Sequence, residues 1–165
     1  MPRERSPAQA AWLAGGRIDS QRAPVGGFEP AAGGRMPNAS LVSIVEDDRF
    51  FRESMTRLMR SLGYSVQAFA SAADFLASPR LVETACLITD VHMPAMTGPE
   101  LYGRLIETGR AIPTILVTAY PDDDAGARAL SDGVVCYLRK PIDEKRLVRC
   151  LRAALQSGEP MEEES

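Results

Sequence analysis

Five short apolar runs alternate with amphipathic stretches from Leu41 onward, and this alternation constrains the fold more than any other feature. Short runs rich in Val, Ile and Leu predict strands that are buried on both faces. The stretches between them carry apolar residues at spacings of three and four, which predicts helices. Strict alternation of strand and helix is typical of a parallel sheet covered on both faces. We therefore predict an α/β fold built on a doubly wound, five-stranded parallel sheet.

The boundaries of these elements follow from turn and capping residues. The strands are predicted over residues 41–45, 64–68, 85–89, 114–118 and 134–138. The first predicted helix carries Phe51 to Leu62 and ends at Gly63, and Ser71 is the predicted N-cap of a short second helix. The remaining helices are predicted over 99–107, over 123–131 and from Asp143 onward.

Both ends of the chain differ from this periodic region. Residues 1–40 are crowded with Gly, Pro, Ala and Arg and lack hydrophobic periodicity, which predicts a disordered N-terminal extension. Met36 stands just before the first strand, so a start at that residue is an alternative. We predict a domain over 41–156, followed by a solvated acidic tail over 157–165. No output domain is expected on this chain.

Composition excludes several classes of protein. A formal net charge of −3 provides no general polycation, so we expect no direct nucleic-acid partner. No apolar run approaches the roughly 18 residues of a membrane span, and no secretory signal is present, which predicts a cytoplasmic protein with no membrane partner. Cys86, Cys136 and Cys150 are odd in number and lack CxxC spacing. They are therefore predicted to be small buried hydrophobic residues in preference to redox sensors, and neither a disulfide nor a zinc site is expected.

Polar residues cluster where the predicted strands end. They are Glu46, Asp47 and Asp48 after the first strand, Asp90 after the third, Thr118 after the fourth and Lys140 after the fifth, followed by Pro141. Neighbouring strands of a doubly wound sheet bring such residues into one crevice. Carboxylates packed closely raise one another's pKa unless a cation neutralises them, and a site made of oxygen ligands suits magnesium (Mg²⁺).

Four motifs in this order resemble the receiver domain of two-component response regulators, a member of the CheY-like superfamily, over residues 41 to about 156. SIVEDD resembles the acidic pair of that family, ITDVHMPAMTG its phosphoacceptor motif, LVTAY its hydroxyl position and YLRKP its Lys-Pro motif. LVTAY and SAADFLAS are most similar to FixJ-like receivers. The resemblance implies a (βα)5 flavodoxin-like sheet in the order 2-1-3-4-5 and a cis Lys140-Pro141 peptide.

The resemblance also implies roles for the clustered residues. Asp90 would accept a phosphoryl group from a sensor histidine kinase or a histidine phosphotransfer protein, assisted by Lys140 and Thr118. Asp47, Glu46, Asp90 and the backbone carbonyl of His92 would bind Mg²⁺. Thr118 and Tyr137 would then switch the protein-binding face made by helix four, strand five and helix five. The downstream protein is unknown, and a phosphorylation-dependent homodimer stays open.

Some residues depart from the family pattern. Glu46 stands where the family more often has Asp, and its extra methylene moves the carboxylate outward by about 1.5 Å, so Asp47 is ranked above it as a ligand. Asp122, Asp123 and Asp124 would either repel phosphate or cap the fourth helix, and capping is favoured. The His92 side chain is predicted to flank the site, where it could bias dephosphorylation.

Alternative functions come from other classes. A degenerate receiver would bind partners constitutively, but intact Asp90, Thr118 and Lys140 argue against it. An aspartate-nucleophile phosphohydrolase needs a carboxylate two residues after the nucleophile, where His92 stands, so we expect no enzyme beyond self-phosphorylation and dephosphorylation. The last helix carries a basic stripe, for which a solvated face is favoured over partner docking or nucleic-acid contact. This stripe consists of Lys145, Arg146, Arg149 and Arg152.

Overall fold

A computed structural model of the chain describes residues 39–156. The predicted extension, apart from Ala39 and Ser40, and the predicted acidic tail lie outside these residues. Within the described range, no helix is both long enough and apolar enough to cross a lipid bilayer.

Residues 39–156 form five strands, five α-helices and one short 3-10 turn at Leu81–Glu83. The strands are β1 (Leu41–Val45), β2 (Ser65–Phe69), β3 (Thr84–Asp90), β4 (Thr114–Thr118) and β5 (Cys136–Arg139). The helices are α1 (Arg49–Ser61), α2 (Ala72–Leu76), α3 (Gly98–Glu107), α4 (Asp123–Ser131) and α5 (Glu144–Gln156). The sheet is parallel with strand order β2-β1-β3-β4-β5, which confirms the predicted fold and order.

Strand β5 begins two residues later than predicted, because Val134 takes part in the capping turn that follows α4. Gly133 has a φ of 115°, and its N–H donates to the Leu130 carbonyl. The N–H of Val134 donates to the carbonyl of Ala129 at 3.1 Å. This pair of bonds closes the last turn of a helix in the manner of a Schellman motif, so an apolar residue with strand propensity is used as a helix terminus.

Alternate residues of each strand point to opposite faces of the sheet, and different helices cover the two faces. Ile44, Ile88 and Val117 pack in one buried cluster with Met55 of α1 and Leu151 of α5. On the opposite face, a cluster that contains Val45 and Leu87 packs against α2 and α3. A smaller cluster that contains Leu116 packs against α4. Burial on both faces explains why the central strands are nearly continuous apolar runs.

The pairing register brings the polar strand ends to one edge of the sheet. Val45 of β1 pairs with Thr89 of β3, so Glu46 and Asp90 follow at the same level. Thr118 of β4 pairs with Arg139 of β5, and the N–H of Lys140 then donates to the Thr118 carbonyl at 2.8 Å. The pairing of the strands therefore places Glu46, Asp90, Thr118 and Lys140 along one side of the sheet.

The structure corrects the cysteine prediction. Cys136 at the start of β5 is disulfide-bonded to Cys150 of α5, with their Cα atoms 6.1 Å apart. The prediction that all three cysteines are unpaired hydrophobic residues is therefore wrong for this pair. It is confirmed for Cys86, which is free and buried in β3, where burial raises the pKa of its thiol to about 12. The two bonded residues meet because α5 runs back across the sheet, which their sequence spacing does not indicate.

Candidate functional site

Asp90 ends β3 as a buried carboxylate with a cation beside it. Its side chain is 8% exposed, and its Oδ1 lies 3.2 Å from the Lys140 ammonium nitrogen. Burial raises the pKa of Asp90, while the charge and hydrogen bond of Lys140 act in the opposite direction. A nucleophilic carboxylate must be ionised, so Lys140 offsets the main obstacle that burial creates.

Glu46 is buried more deeply and binds the same lysine. Its Oε1 accepts a hydrogen bond from Lys140 Nζ at 3.0 Å, and its Oε2 accepts one from the backbone N–H of Asp48 at 3.0 Å. Burial is the largest effect on the pKa of Glu46 and raises it, although both hydrogen bonds lower it. The guanidinium of Arg52 donates to the Glu46 backbone carbonyl at 2.8 Å, which fixes the backbone next to the carboxylate.

Lys140 bridges the two buried carboxylates from the end of β5. Burial alone would lower its pKa, but hydrogen bonds and charge from Glu46 and Asp90 raise it overall. The ammonium nitrogen also lies 4.2 Å from the centre of the Phe51 ring. The peptide bond that follows, Lys140-Pro141, is cis, as the resemblance implies.

Three carboxylates form a cluster suited to a hard divalent cation. Glu46, Asp47 and Asp90 each offer one oxygen, and these oxygens lie within 4.8 Å of one another. Oxygens on opposite sides of a bound Mg²⁺ are separated by about 4.2 Å, since its bonds measure about 2.1 Å, so the donor set fits this ion in chemistry and comes close to it in spacing. Both oxygens of Glu46 already accept hydrogen bonds, whereas the Asp47 residue is exposed. That difference favours the predicted ranking of Asp47 above Glu46.

Thr118 and Tyr137 hold the same loop between β4 and α4. The buried hydroxyl of Thr118 accepts a hydrogen bond from the Tyr120 N–H at 2.9 Å. The hydroxyl of Tyr137 accepts one from the Asp122 N–H at 3.2 Å. The Tyr137 ring is half-buried beneath α4 and packs so closely on Gly126 that a Cβ there would lie 2.8 Å from the ring.

The loop after Asp90 returns tightly onto the strand. The N–H of Gly98 donates to the Val91 carbonyl at 2.9 Å, and a Cβ at position 98 would collide with the Asp90 carbonyl oxygen. The glycine that ends ITDVHMPAMTG is therefore required by close backbone packing. Thr97 and Glu100 then form a capping box that starts α3.

The flanking residues occupy the positions predicted for them. His92 is exposed, and its ring meets that of Tyr120 edge-on with centroids 5.6 Å apart. Asp122 caps α4 by accepting the N–H groups of Asp124 and Ala125, which confirms the capping interpretation. Ser71 likewise caps α2. The assignment of the His92 backbone carbonyl as a metal ligand stays a prediction.

Sequence analysis did not identify Arg52 and Phe51 as residues of the site. Arg52 donates a hydrogen bond to the Glu46 backbone carbonyl, and the Phe51 ring lies against the Lys140 ammonium group. Both lie in the first turn of α1, where Asp48 accepts the Phe51 N–H as N-cap. Their spacing relative to Asp47 and Asp48 contains no recognisable signal, because Arg52 binds a backbone carbonyl and Phe51 contacts a lysine that only the folded sheet brings near.

A family model described as the response regulator receiver domain matches residues 42–152. The chain belongs to this family. As a receiver domain it is a phosphoacceptor signalling domain of the kind found in two-component systems, and the family binds Mg²⁺ at an acidic cluster. The geometry of Glu46, Asp47 and Asp90 is consistent with that property.

Curated relatives of this receiver domain are response regulators. The chain is similar to the response regulator protein TodT of Pseudomonas putida, with 37% identity over 118 residues that cover 72% of this chain and 52% of the relative. It is also similar to the transcriptional regulatory protein FixJ of Azorhizobium caulinodans, with 33% identity over 120 residues that cover 73% and 57% of the two chains. The chain thus spans about half the length of these relatives.

Solved structures share the fold of this chain. The structure titled FixJ-N matches with a TM-score of 0.67 and 28% identity, covering 76% of this chain and all of that chain. The response regulator StyR matches with a TM-score of 0.65 and 36% identity, covering 71% of this chain and 59% of that one.

Proposed function

We propose that this receiver domain accepts a phosphoryl group on Asp90 and acts as a phosphorylation-controlled binding switch. The donor would be a histidine kinase or a histidine phosphotransfer protein in the cytoplasm. The observation that carries the proposal is the Lys140 ammonium group, which lies 3.0 Å from Glu46 Oε1 and 3.2 Å from Asp90 Oδ1 at the edge of a three-carboxylate cluster. Phosphoryl transfer depends mainly on positioning and charge, and this cluster supplies both.

The transfer follows from the roles of the chain's own residues. An ionised Asp90 oxygen attacks phosphorus, the P–N bond of phosphohistidine breaks, and an acyl phosphate forms on Asp90. Asp47, Asp90 and Glu46, with the His92 carbonyl as a further predicted ligand, would hold Mg²⁺, which neutralises phosphoryl charge when bound. Lys140 stabilises the remaining negative charge on the phosphoryl oxygens.

The response would start in the loop between β4 and α4. In the unphosphorylated structure, the Thr118 hydroxyl accepts a hydrogen bond from the Tyr120 N–H at 2.9 Å. When this hydroxyl instead turns to donate to a phosphoryl oxygen, that bond is lost. The loop keeps the hydrogen bond from the Asp122 N–H to the Tyr137 hydroxyl, so the tyrosine and α4 can rearrange together. This change would alter the face of α4, β5 and α5 that a downstream protein or a second copy of the chain contacts.

The two alternatives have less support. A degenerate receiver has no need for a lysine bridged between two buried carboxylates, which costs desolvation energy. A phosphohydrolase of this kind needs a carboxylate two residues after the nucleophile, but this chain has the exposed His92 at that position.

Intact mass spectrometry tests the proposal. The protein is incubated with Mg²⁺ and acetyl phosphate, and we expect one added phosphoryl group that is lost in Asp90→Asn but retained in the control Asp74→Asn, an exposed carboxylate of α2. Absence of an adduct with both acetyl phosphate and a phosphorylated kinase would contradict the switch. Rapid turnover of phosphomonoesters would favour the hydrolase instead.

A further inference from the structure

Lys140 has a third neighbour besides its two carboxylates, the aromatic ring of Phe51. The ammonium nitrogen lies 4.2 Å from the ring centroid. A cation within about 6 Å of a ring face is attracted by the quadrupole of the ring. An ammonium group has three N–H donors, so Glu46, Asp90 and the Phe51 ring together provide a neighbour for each.

Phe51 is well placed to restrain the lysine because its own position is fixed. Its backbone N–H donates to the capping carboxylate of Asp48 at 2.9 Å. Its half-buried ring packs against the core cluster beneath α1 and α5, and it lines a groove with Pro141 and Ile142 just after the lysine. The ring therefore connects α1 to the end of β5.

The chemistry of the ring suits this task. A third carboxylate at this place would neutralise Lys140 and compete with a phosphoryl group for its charge. A neutral ring face restrains the ammonium group and leaves its charge available. This matters because Glu46 competes with Asp90 for the lysine, whose nitrogen lies 3.0 Å from the Glu46 oxygen and 3.2 Å from the Asp90 oxygen.

We propose that Phe51 is a positioning residue that holds Lys140 beside Asp90 for phosphoryl transfer. This inference rests on the proposed function, since the lysine needs this position only if Asp90 is phosphorylated. Phe51 would contact neither the phosphoryl group nor Mg²⁺, and it acts through Lys140 alone.

The chain offers a matched control in the preceding residue. Phe50 lies on the same helical turn but is 77% exposed. The rate of acetyl phosphate labelling is measured by intact mass at saturating Mg²⁺. Phe51→Leu should label about three- to tenfold more slowly, as expected for the loss of a partly buried cation–π contact. Phe51→Tyr, which keeps the ring, and Phe50→Leu should label at the wild-type rate.

Two further measurements separate positioning from packing. In a Lys140→Met background, Phe51→Leu should cause no additional loss of rate, because its effect passes through the lysine. In NMR spectra of the unphosphorylated protein, the ε-methylene protons of Lys140 should show an upfield ring-current shift that Phe51→Leu removes and Phe50→Leu retains.

The outcomes distinguish this inference from the proposed function. A wild-type protein that forms no adduct overturns the proposed function and this inference with it. A labelled wild-type protein with an equal rate for Phe51→Leu overturns the inference alone. So does a rate loss that persists in the Lys140→Met background, because the ring would then act through packing.

Discussion

The centre of the sheet and its β5 edge build the site in different ways. At the centre, Glu46 and Asp90 follow paired residues of β1 and β3, so strand register alone brings their carboxylates together. At the edge, β5 is paired to β4, and its residues are held from the helices, by Phe51 in α1, Gly126 in α4 and Cys150 in α5. The sheet therefore fixes Asp90 and the acidic cluster, whereas helix contacts hold the residues at the β5 edge.

The largest expected effect comes from the one edge residue that reaches the centre. Lys140→Gln should lower the rate of acetyl phosphate labelling about 10²- to 10³-fold, as expected when a preorganised group that stabilises transferring charge is removed. Lys145→Gln, on the exposed surface of α5, is the control and should label normally. An unchanged rate for Lys140→Gln would show that phosphorylation of Asp90 does not need the lysine from the end of β5.

Reduction of the disulfide tests how firmly the edge is held. The Cys136–Cys150 bond closes a loop with a sequence separation of 14. A loop of this size stabilises a folded chain by about 3 kcal/mol in the chain-entropy model. Urea unfolding with and without dithiothreitol should differ by roughly this amount.

The matched control for the disulfide is the Cys136→Ser, Cys150→Ser double variant, whose stability should not respond to reductant. Equal stability of the oxidised and reduced wild-type protein would mean that β5 does not depend on α5 for its attachment.

Gly126→Ala tests the contact between Tyr137 and α4. The new Cβ would lie 2.8 Å from the tyrosine ring, so the ring or the helix must move. We expect a loss of about 1–3 kcal/mol in the free energy of unfolding, measured in urea. The same change in a Tyr137→Leu background should instead be neutral or stabilising, since alanine is the better helix former.

Gly103→Ala in α3 is the control for that substitution, because a Cβ there meets no atom within 4 Å. It should stabilise the protein by about 0.5–1 kcal/mol. If Gly126→Ala and Gly103→Ala stabilise the protein equally, Gly126 and the Tyr137 ring are not in close contact.

The smallest effect concerns the centre of the sheet and its pH dependence. The raised pKa of Glu46 and Asp90 means that the folded state binds more protons than the unfolded state above the ordinary carboxylate range. Their contribution to stability is therefore complete at acidic pH and is lost as pH rises through the raised values, with a slope of at most about 1.4 kcal/mol per pH unit for each proton.

Urea unfolding in EDTA across that range measures the slope. Asp90→Asn should show a shallower decrease of stability with pH than the wild-type protein. A steeper decrease in the variant would mean that the net effect of Lys140 on Asp90 exceeds that of burial.

The sequence predicted the centre better than the edge, for physical reasons. Asp90 and the pair Glu46 and Asp47 stand at the ends of predicted strands, so a strand-end rule and a motif locate them, and strand order followed from the same resemblance. The pairing of Cys136 with Cys150 depends on how α5 lies across the sheet. The contact of Phe51 with Lys140 joins elements far apart in the chain. Neither leaves a local pattern in the sequence.

The most direct measurement of the central claim is the location of the phosphoryl group. The protein is labelled with acetyl phosphate and Mg²⁺, the acyl phosphate is reduced with borohydride, and the peptides are sequenced by mass spectrometry. Reduction converts a phosphorylated aspartate to homoserine, and we predict homoserine at position 90 alone. Homoserine at position 47 or 48, or an unmodified Asp90 in a protein that carries the label, would contradict the account.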